Sequence, residues 1–344
     1  MTTIGVDTHK LTLAACAVDA LGAPLAEASF DNDPAGHRRF AAWARGLAPE
    51  VRIGVEGSAS FGAVLARGLH AAGFDVVEVP PHLSRRERGR TRRPGKSDAG
   101  DALAIARVTA RECRLPPVRL PDHSADLQLL VSARERLLGQ ATAARNALHA
   151  YLRLLLPGYA RLAPNLVAAR HRAAIGRALR AQRGVAADLA RGELRRLERL
   201  LGEADALEAQ IRPLVADDPL QRLPGAGPLT AATLRGHVGD ARRLRSHHAF
   251  AALAGAAPIP ASSGQTQRMR LNRGGNRQLN RALYVIALNQ LRMHPPAQAY
   301  LARKRAEGKS GREALRCLKR QLARQVFRLL LEGAPPDALS RLTT

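Results

Sequence analysis

Two short apolar runs near the start of the chain each end in a carboxylate. The segment Thr3-Ile4-Gly5-Val6 leads into Asp7, and Ile53-Gly54-Val55 leads into Glu56 in the same way. Uncharged runs of this length between polar residues are typical of buried strands. Neighbouring parallel strands would bring both carboxylates to one place, although each acid taken alone can equally cap the turn that follows it.

The spacing of apolar residues changes several times before residue 80. It predicts strands near residues 3–8, 11–18 and 25–30, a helix from Asn32-Asp33-Pro34 through Trp43, a strand at 51–56, a helix at about 61–72 and a strand at 75–79. Three strands followed by alternating helix and strand indicate an α/β domain with a mixed sheet, which we place at residues 1–112.

An arginine-rich run interrupts this pattern. Residues 84–96 contain six arginines and one lysine with little apolar content, which predicts an exposed loop. A helix then opens at Ser97, its predicted N-cap. Asp98 and Asp101 share one face of the first turn because they are three residues apart. Acids in a first turn often only complement the helix dipole, so these two alone are weak signs of a site.

Helical spacing dominates the rest of the chain. Apolar stripes predict long helices at 126–156 and 166–215, which either fold back on each other or pair with another chain as a coiled coil. We assign residues 122–215 to this helical middle region and 216–335 to a helical C-terminal domain. In the latter, the turn with Gly225 and Gly227 resembles a helix-hairpin-helix, whose amides can face phosphate oxygens.

Charge and composition indicate which class of partner the chain binds. The 344 residues carry a formal net charge of +25, yet residues 1–80 have 6 basic and 9 acidic side chains, whereas residues 264–320 have 14 basic and 2 acidic. This excess predicts a nucleic-acid partner bound through its phosphates, because aromatic residues for base stacking are only 3% of the chain. Three isolated cysteines fit a reducing cytoplasm, and no stretch is long and apolar enough to predict a membrane span.

Two sets of residues can carry phosphoryl-transfer chemistry. The acids Asp7, Glu56, Asp98 and Asp101 are the oxygen ligands that Mg²⁺ or Mn²⁺ prefers. Ser263 follows a loop rich in proline and glycine and precedes a cluster of arginines, which could offset charge developing at phosphorus if its hydroxyl attacked a phosphodiester. Serine on such a loop more often caps a turn, and Ser262 beside it leaves open which hydroxyl would attack.

Five motifs occur in order across nearly the whole chain. They are Gly5-Val6-Asp7 with Lys10, Val55-Glu56-Gly57, Lys96-Ser97-Asp98 with Asp101-Ala102, Leu223-Pro224-Gly225 with Gly227, and Ser263-Gly264 with Arg273-Gly274-Gly275-Asn276. In this order they resemble the DEDD transposases of bacterial insertion sequences, the IS110 family. The segment Gly57-Ser58-Ala59-Ser60-Phe61-Gly62 departs from the threonine-glycine and aromatic residue that this family tends to have after its glutamate.

The resemblance implies a RuvC-like, RNase H-like N-terminal domain joined through a coiled coil to a helical transposase domain. It implies that Asp7, Glu56, Asp98 and Asp101 bind metal and that Ser263 forms a transient covalent link to DNA. The implied partners are donor and target DNA, a structured guide RNA and further copies of the chain, as a dimer or tetramer, in a nucleoid-associated bacterial protein. We expect the following residues to contact nucleic acid: Lys10, Arg85, Arg86, Arg92, Arg93, Lys96, Gly225, Gly227, Arg268, Arg270, Arg273, Asn276 and Arg277.

Two other functions remain open from the sequence. A metal-dependent junction nuclease would use only the N-terminal acids and would leave no protein–DNA adduct. A non-catalytic nucleic-acid-binding protein would use the acids only as helix caps and would cleave nothing. The repeated pattern of strand and acid disfavours the second, and the large basic C-terminal half disfavours the first.

Overall fold

The chain divides into two compact units, residues 1–121 and 122–344. The computed structural model describes residues 1–58, 60–89, 97–119, 123–260, 269, 270, 272 and 274–333, without the side chains of His123, Pro260, Met269 and Arg270. The predicted helical middle region and the predicted C-terminal domain both fall in the second unit. Among the described residues, no helix is long and apolar enough to cross a membrane.

The N-terminal unit is built on a mixed five-stranded sheet. Its strands are β1 (Thr2–Thr8), β2 (Thr12–Val18), β3 (Pro24–Asp31), β4 (Val51–Val55) and β5 (Asp75–Glu78), in the order β3-β2-β1-β4-β5. The pairs β1–β2 and β2–β3 are antiparallel, whereas β1–β4 and β4–β5 are parallel. The predicted mixed sheet is confirmed, and it fits the RuvC-like domain that the resemblance implies.

Helices cover both faces of this sheet. Helix α1 (Pro34–Leu47) and helix α2 (Ala63–Ala71) lie on one face, where Phe40 and Leu65 pack with Ile4, Val6 and the alternate β2 residue Leu13. Helix α4 (Asp98–Arg111) lies on the other face, against Cys16 and Val18. Because side chains alternate along a strand, Gly5 and Asp7 point to the α4 face while Ile4 and Val6 point away from it.

The predicted loop at 84–96 is wrong for its first residues. Helix α3 spans Pro81–Arg88, and its Ser84 and Glu87 are buried. Glu87 Oε2 accepts a hydrogen bond from Arg111 Nη1 of α4 at 2.7 Å. Ser84 and Glu87 are three positions apart, so they lie on one side of the helix and give it a buried face. The exposed arginines Arg85 and Arg86 are the reason that the sequence predicted a loop.

The second unit begins with long helices that pack on each other. Helix α5 (His123–Leu155) and helix α8 (Val185–Leu214) run antiparallel, with Arg134 of the first 2.7 Å from Glu208 of the second. Between them lie helices α6 (Tyr159–Leu162) and α7 (Ala169–Leu179). The long helices therefore fold back within one chain. The single helical region predicted for 166–215 is divided between α7 and α8, and Gly184, with a φ of +93°, directly precedes α8.

Five helices and a short hairpin complete this unit. They are α9 (Pro228–Val238), α10 (His247–Leu253), the hairpin of β6 (Ile259–Pro260) and β7 (Met269–Arg270), and α11 (Arg277–Met293), α12 (Pro295–Ala306) and α13 (Gly311–Glu332). Their core includes Phe250, Leu283 and Val326. The predicted helix-hairpin-helix is not shown, because only a one-turn 3₁₀ helix, Pro219–Arg222, precedes the glycine turn.

Candidate metal centre

The two glycines of the repeated apolar runs allow α4 to approach the sheet. Gly5 and Gly54 are direct partners in the parallel β1–β4 register. A Cβ added at Gly5 would lie 2.1 Å from the amide nitrogen of Ala106, and one added at Gly54 would lie 1.9 Å from Thr109 Oγ1. Helix α4 thus lies against both strands at positions where neither strand has a side chain.

The first turn of α4 carries two acids toward the strand ends. Ser97 caps this helix, because its hydroxyl accepts a hydrogen bond from the Gly100 amide at 3.2 Å. The predicted cap is therefore confirmed. Asp98 has a side chain 59% exposed, whereas that of Asp101 is 5% exposed. The two acids share a helix turn but have different environments.

Asp7 and Asp98 meet at a histidine. Nε2 of His9 lies 3.2 Å from Asp7 Oδ2 and 3.3 Å from Asp98 Oδ1, without the angles of a hydrogen bond. One ligand atom from each of these three residues lies within 4.8 Å of the others. Sequence reasoning did not select His9, although its position two residues after Asp7 was a usable signal, because such residues share a strand face.

Glu56 lies beside this group on the neighbouring strand. Its amide donates to the carbonyl of Val6 at 3.1 Å, which continues the parallel ladder past the end of β4. Its carbonyl accepts from the Thr8 hydroxyl at 2.9 Å, while its Oε2 is buried with no hydrogen-bond partner among the described residues. A buried carboxylate oxygen without a donor is costly, so this atom fits a ligand position.

Asp101 has a different partner. Its Oδ1 lies 2.9 Å from Nη1 of Arg88, the last residue of α3. Arg88 was also missed as a site residue, because the sequence placed it in an exposed basic loop. The fourth predicted acid is therefore paired with a guanidinium, whereas Asp7 and Asp98 approach His9.

The acids influence one another electrostatically. Burial raises the pKa of the Asp7 carboxyl above its ordinary value of 3.8. The neighbouring His9 works against this rise, and the charges of Asp101, Glu56 and Asp98 add to the raised pKa. Gathering like charges in a partly buried place is unfavourable unless a cation is bound there.

These donors fit a divalent cation. Carboxylate oxygens are the ligands that Mg²⁺ and Mn²⁺ take. The buried Glu56 oxygen without a hydrogen-bond partner among the described residues and the repulsion at Asp7 are both features that a bound cation would offset. Of the predicted tetrad, the structure brings Asp7 and Asp98 to one histidine and leaves Asp101 with Arg88.

The predicted nucleic-acid contacts have diverse surroundings. Lys10, Arg85, Arg86 and Arg277 are exposed. The Gly227 amide already donates to the Thr230 hydroxyl at 2.8 Å. The Asn276 side chain caps α11 by accepting from the amides of Gln278 and Leu279.

Gly225 has a packing role that its motif did not reveal. Its φ is +82°, and an added Cβ would lie 2.9 Å from the Ile286 carbonyl oxygen. Its own carbonyl accepts from Asn289 at 3.0 Å. The remaining predicted contacts lie outside the described residues or have undescribed side chains: Arg92, Arg93, Lys96, Arg268, Arg270 and Arg273. The predicted nucleophile Ser263 also lies outside the described residues.

Two family models match the chain. One, described as a DEDD transposase of the IS110 type, matches residues 4–157 and so includes all four predicted acids. The other, described as the transposase family IS116/IS110/IS902, matches residues 217–302. The first matched stretch covers the N-terminal sheet domain and all of α5, and the second runs from the glycine turn through most of α12.

Curated relatives are insertion-element proteins. The 42 kDa protein of insertion element IS900 from Mycobacterium paratuberculosis is 29% identical over 83% of this chain and 84% of its own length. The 44.8 kDa protein of IS116 from Streptomyces clavuligerus is 27% identical over 97% of this chain and 96% of its own. The 43.6 kDa protein of IS110 from Streptomyces coelicolor is 39% identical, but the match spans 37% of this chain and only 33% of that relative.

A solved structure was also matched. It is RuvC of T. thermophilus in complex with a Holliday junction substrate, with 20% identity over 31% of this chain and 90% of that chain. The TM-score is 0.25, which does not by itself establish a shared fold.

Proposed function

The chain belongs to the IS110 family of transposases, and we propose that it cuts and rejoins DNA strands to move an insertion sequence. The observation that carries this proposal is the meeting of Asp7 and Asp98 at His9, beside Glu56, on one face of the sheet. Residues from two strand ends and a helix start converge there, which helix capping alone does not require.

Asp7, Glu56 and Asp98 would hold a divalent cation, with His9 beside them and Asp101 within the same helix turn. Such a cation polarises a phosphate oxygen and stabilises the charge that develops during phosphoryl transfer. The rigid contact of α4 with Gly5 and Gly54 fixes the helix acids relative to the strand acids. Arg88 neutralises Asp101 and so reduces repulsion within the cluster.

Ser263 would supply the nucleophile. Its hydroxyl oxygen would attack a DNA phosphorus and lose its proton, while the bond from phosphorus to the departing strand breaks and that strand's oxygen takes up a proton. The resemblance supports this role, as does the excess of 14 basic over 2 acidic residues at 264–320. Attack by a strand hydroxyl on the phosphoserine link would then rejoin DNA.

Several chains and two kinds of nucleic acid would take part. Donor and target DNA together present more ends than one copy can hold, so we propose a dimer or tetramer. A structured guide RNA would choose the DNA sites, a role supported by the resemblance and by the net charge of +25.

Capturing a covalent intermediate tests the proposal. The protein is incubated with DNA carrying the ends of its insertion sequence, with the element's RNA and with Mg²⁺ or Mn²⁺, and is then denatured. We expect a denaturation-resistant protein–DNA adduct in which peptide mapping finds Ser263 modified. Ser263→Ala and Asp7→Asn should abolish it, while the matched control Ser262→Ala should keep it.

The same experiment separates the alternatives. Cleavage that needs Asp7 but gives no adduct would indicate a junction nuclease that uses only the acids. Salt-sensitive binding without any cleavage would indicate a nucleic-acid-binding protein. An adduct that persists in Ser263→Ala and disappears in Ser262→Ala would reassign the nucleophile.

A further inference from the structure

A cleft in the second unit contains a buried lysine that the proposed chemistry does not use. The cleft has a volume of about 600 Å³ and lies between α12, α13 and residues 255–258. It is lined by five cations and two carboxylates: Lys304, Lys309, Arg316, Lys319 and Arg320, with Glu307 and Glu313. Lys319 differs from the others because only 8% of it is exposed.

The ammonium of Lys319 is incompletely satisfied. Its Nζ donates to Asn280 Oδ1 at 2.6 Å and lies 5.9 Å from the centre of the Tyr284 ring. An ammonium has three donors, and within the described part of the chain no carboxylate lies within 4.0 Å of this one. A buried charge in this state lacks the ionic partner that normally offsets its desolvation.

The two carboxylates of the cleft are engaged elsewhere. Glu307 accepts from Lys304 at 2.8 and 2.9 Å and from Lys309 at 3.5 Å. Glu313 accepts from the hydroxyl of Ser310 at 2.7 Å and closes a capping box at the start of α13. Neither is available to Lys319, so no described carboxylate offsets its charge, and a bound anion would do so.

We propose that this cleft binds a backbone phosphate of nucleic acid and that Lys319 contacts a phosphate oxygen. The proposal rests on the proposed function, which supplies the nucleic acid. Burial lowers the pKa of Lys319, with Arg316 adding to the effect, as happens when a buried ammonium has no anion beside it. Arg316 and Arg320 lie on the same helix as Lys319, and both add positive charge to the lining of the cleft.

The surroundings favour a strand of nucleic acid over a free phosphate. Residues 255–258 form one wall of the cleft and lead directly into β6, after which the chain reaches the segment that contains Ser263. The lining cations are spread from α12 to α13, which suits a chain of phosphates better than a single one. Structural bracing is the competing role, because Asn280 also donates to the Ala254 carbonyl at 2.7 Å.

Salt-dependent binding separates the two roles. The full chain is titrated with a fluorescent DNA duplex and, separately, with a fluorescent RNA hairpin, each at several salt concentrations. Each neutralised phosphate contributes about 0.9 to the slope of log affinity against log salt concentration. We expect Lys319→Met to lower the slope by about 0.9 with at least one probe and to weaken binding about tenfold at low salt.

Two variants serve as controls. Lys319→Gln removes the charge but keeps a donor for Asn280, so it should lose the same slope with a smaller loss of thermal stability. Lys304→Met removes a lysine of the same cleft that Glu307 already neutralises, and it should change the slope by less than half as much.

Three results would overturn the assignment. One is an unchanged slope for both Lys319 variants with both probes, whatever their affinity or thermal stability, since Lys319 would then only brace Asn280. Another is an equal loss for Lys304→Met, which would indicate a diffuse positive surface. The third is displacement of both probes by inorganic phosphate at constant ionic strength, with the same salt slope in the parent and in both Lys319 variants. The cleft would then be a site for free phosphate. Absence of salt-dependent binding in the unaltered protein would instead contradict the proposed function.

Discussion

The two units bury charge in opposite ways. In the N-terminal unit, the carboxylates of Asp7 and Asp98 approach one histidine, Glu56 follows the neighbouring strand, and Arg88 pairs with Asp101. In the C-terminal unit, Arg235 is 3% exposed and makes a two-point contact with Asp218, Nε to Oδ2 at 2.8 Å and Nη2 to Oδ1 at 3.0 Å. Its Nη1 also donates to the Leu330 carbonyl at 2.9 Å.

The Arg235–Asp218 pair and the N-terminal acids differ in whether the protein itself supplies the opposite charge. The Arg235–Asp218 pair satisfies both partners inside the protein, so it needs nothing from solution. The acid cluster leaves an oxygen of Glu56 without a donor and raises the pKa of Asp7, so it is complete only with an added cation. Three substitutions test this contrast.

Arg235→Met should have the largest effect on stability. It leaves Asp218 as an unpaired carboxylate whose side chain is only 9% exposed, and we expect the free energy of unfolding to fall by about 3–5 kcal/mol. The measurement is chemical denaturation of the full chain. Arg222→Met is the matched control, because the Arg222–Glu332 pair joins the same 3₁₀ turn to α13 at the surface and should contribute about 0–1 kcal/mol. Equal losses would remove the distinction between the pairs.

Arg88→Met should strengthen metal binding. The Arg88 guanidinium forms an ion pair with Asp101. Removing the guanidinium frees the Asp101 carboxylate and lowers the positive charge beside the acids. We expect Mn²⁺ affinity to rise about tenfold, or about 1.4 kcal/mol, measured by the electron paramagnetic resonance signal of free Mn²⁺. Arg85→Met, an exposed arginine of the same helix, should change affinity by less than about twofold. Unchanged affinity in Arg88→Met would place Asp101 outside the ion's site.

Asp7→Asn should stabilise the metal-free fold at neutral pH. A raised pKa means that the folded state prefers protonated Asp7. The stability that the folded state gains from protonated Asp7 is fully present below the unfolded pKa of about 4. It is lost as the pH rises through the raised pKa of the folded state. In a chelator at pH 7, we expect the asparagine variant to gain on the order of 1 kcal/mol in denaturation experiments, and the gain to vanish towards pH 3. A variant less stable than the parent at pH 7 would contradict the repulsion.

Much of the N-terminal site could be predicted because its signals are local. The repeated Ile-Gly-Val-acid pattern marks both strand ends and predicted that Asp7 and Glu56 lie at one place. Ser97 marks the start of α4, and the family resemblance added Asp98 and Asp101 to the predicted site. The prediction also assumed that the two strands pair in parallel, and the β1–β4 register confirms this.

The missed features depend on tertiary contacts. Helix α3 forms because Glu87 finds Arg111 on α4, a partner that no local spacing reveals. The pairing of Arg88 with Asp101 follows from that same packing. In the C-terminal unit, the role of Gly225 is set by its contact with Ile286 on a helix more than fifty residues away, so a turn motif alone pointed to phosphate instead.

The paired glycines of β1 and β4 bear on how copies of such an element are judged from genome sequences. A single added methyl group at Gly5 would meet the backbone of α4, and one at Gly54 would meet Thr109, so either change forces the helix and its two acids away from the strand acids. A copy with alanine at either position would retain the four acids and Ser263, yet the proposed metal site would be misassembled. Counting only the proposed catalytic residues would therefore overestimate the number of mobile copies, and the two glycines belong in the same count.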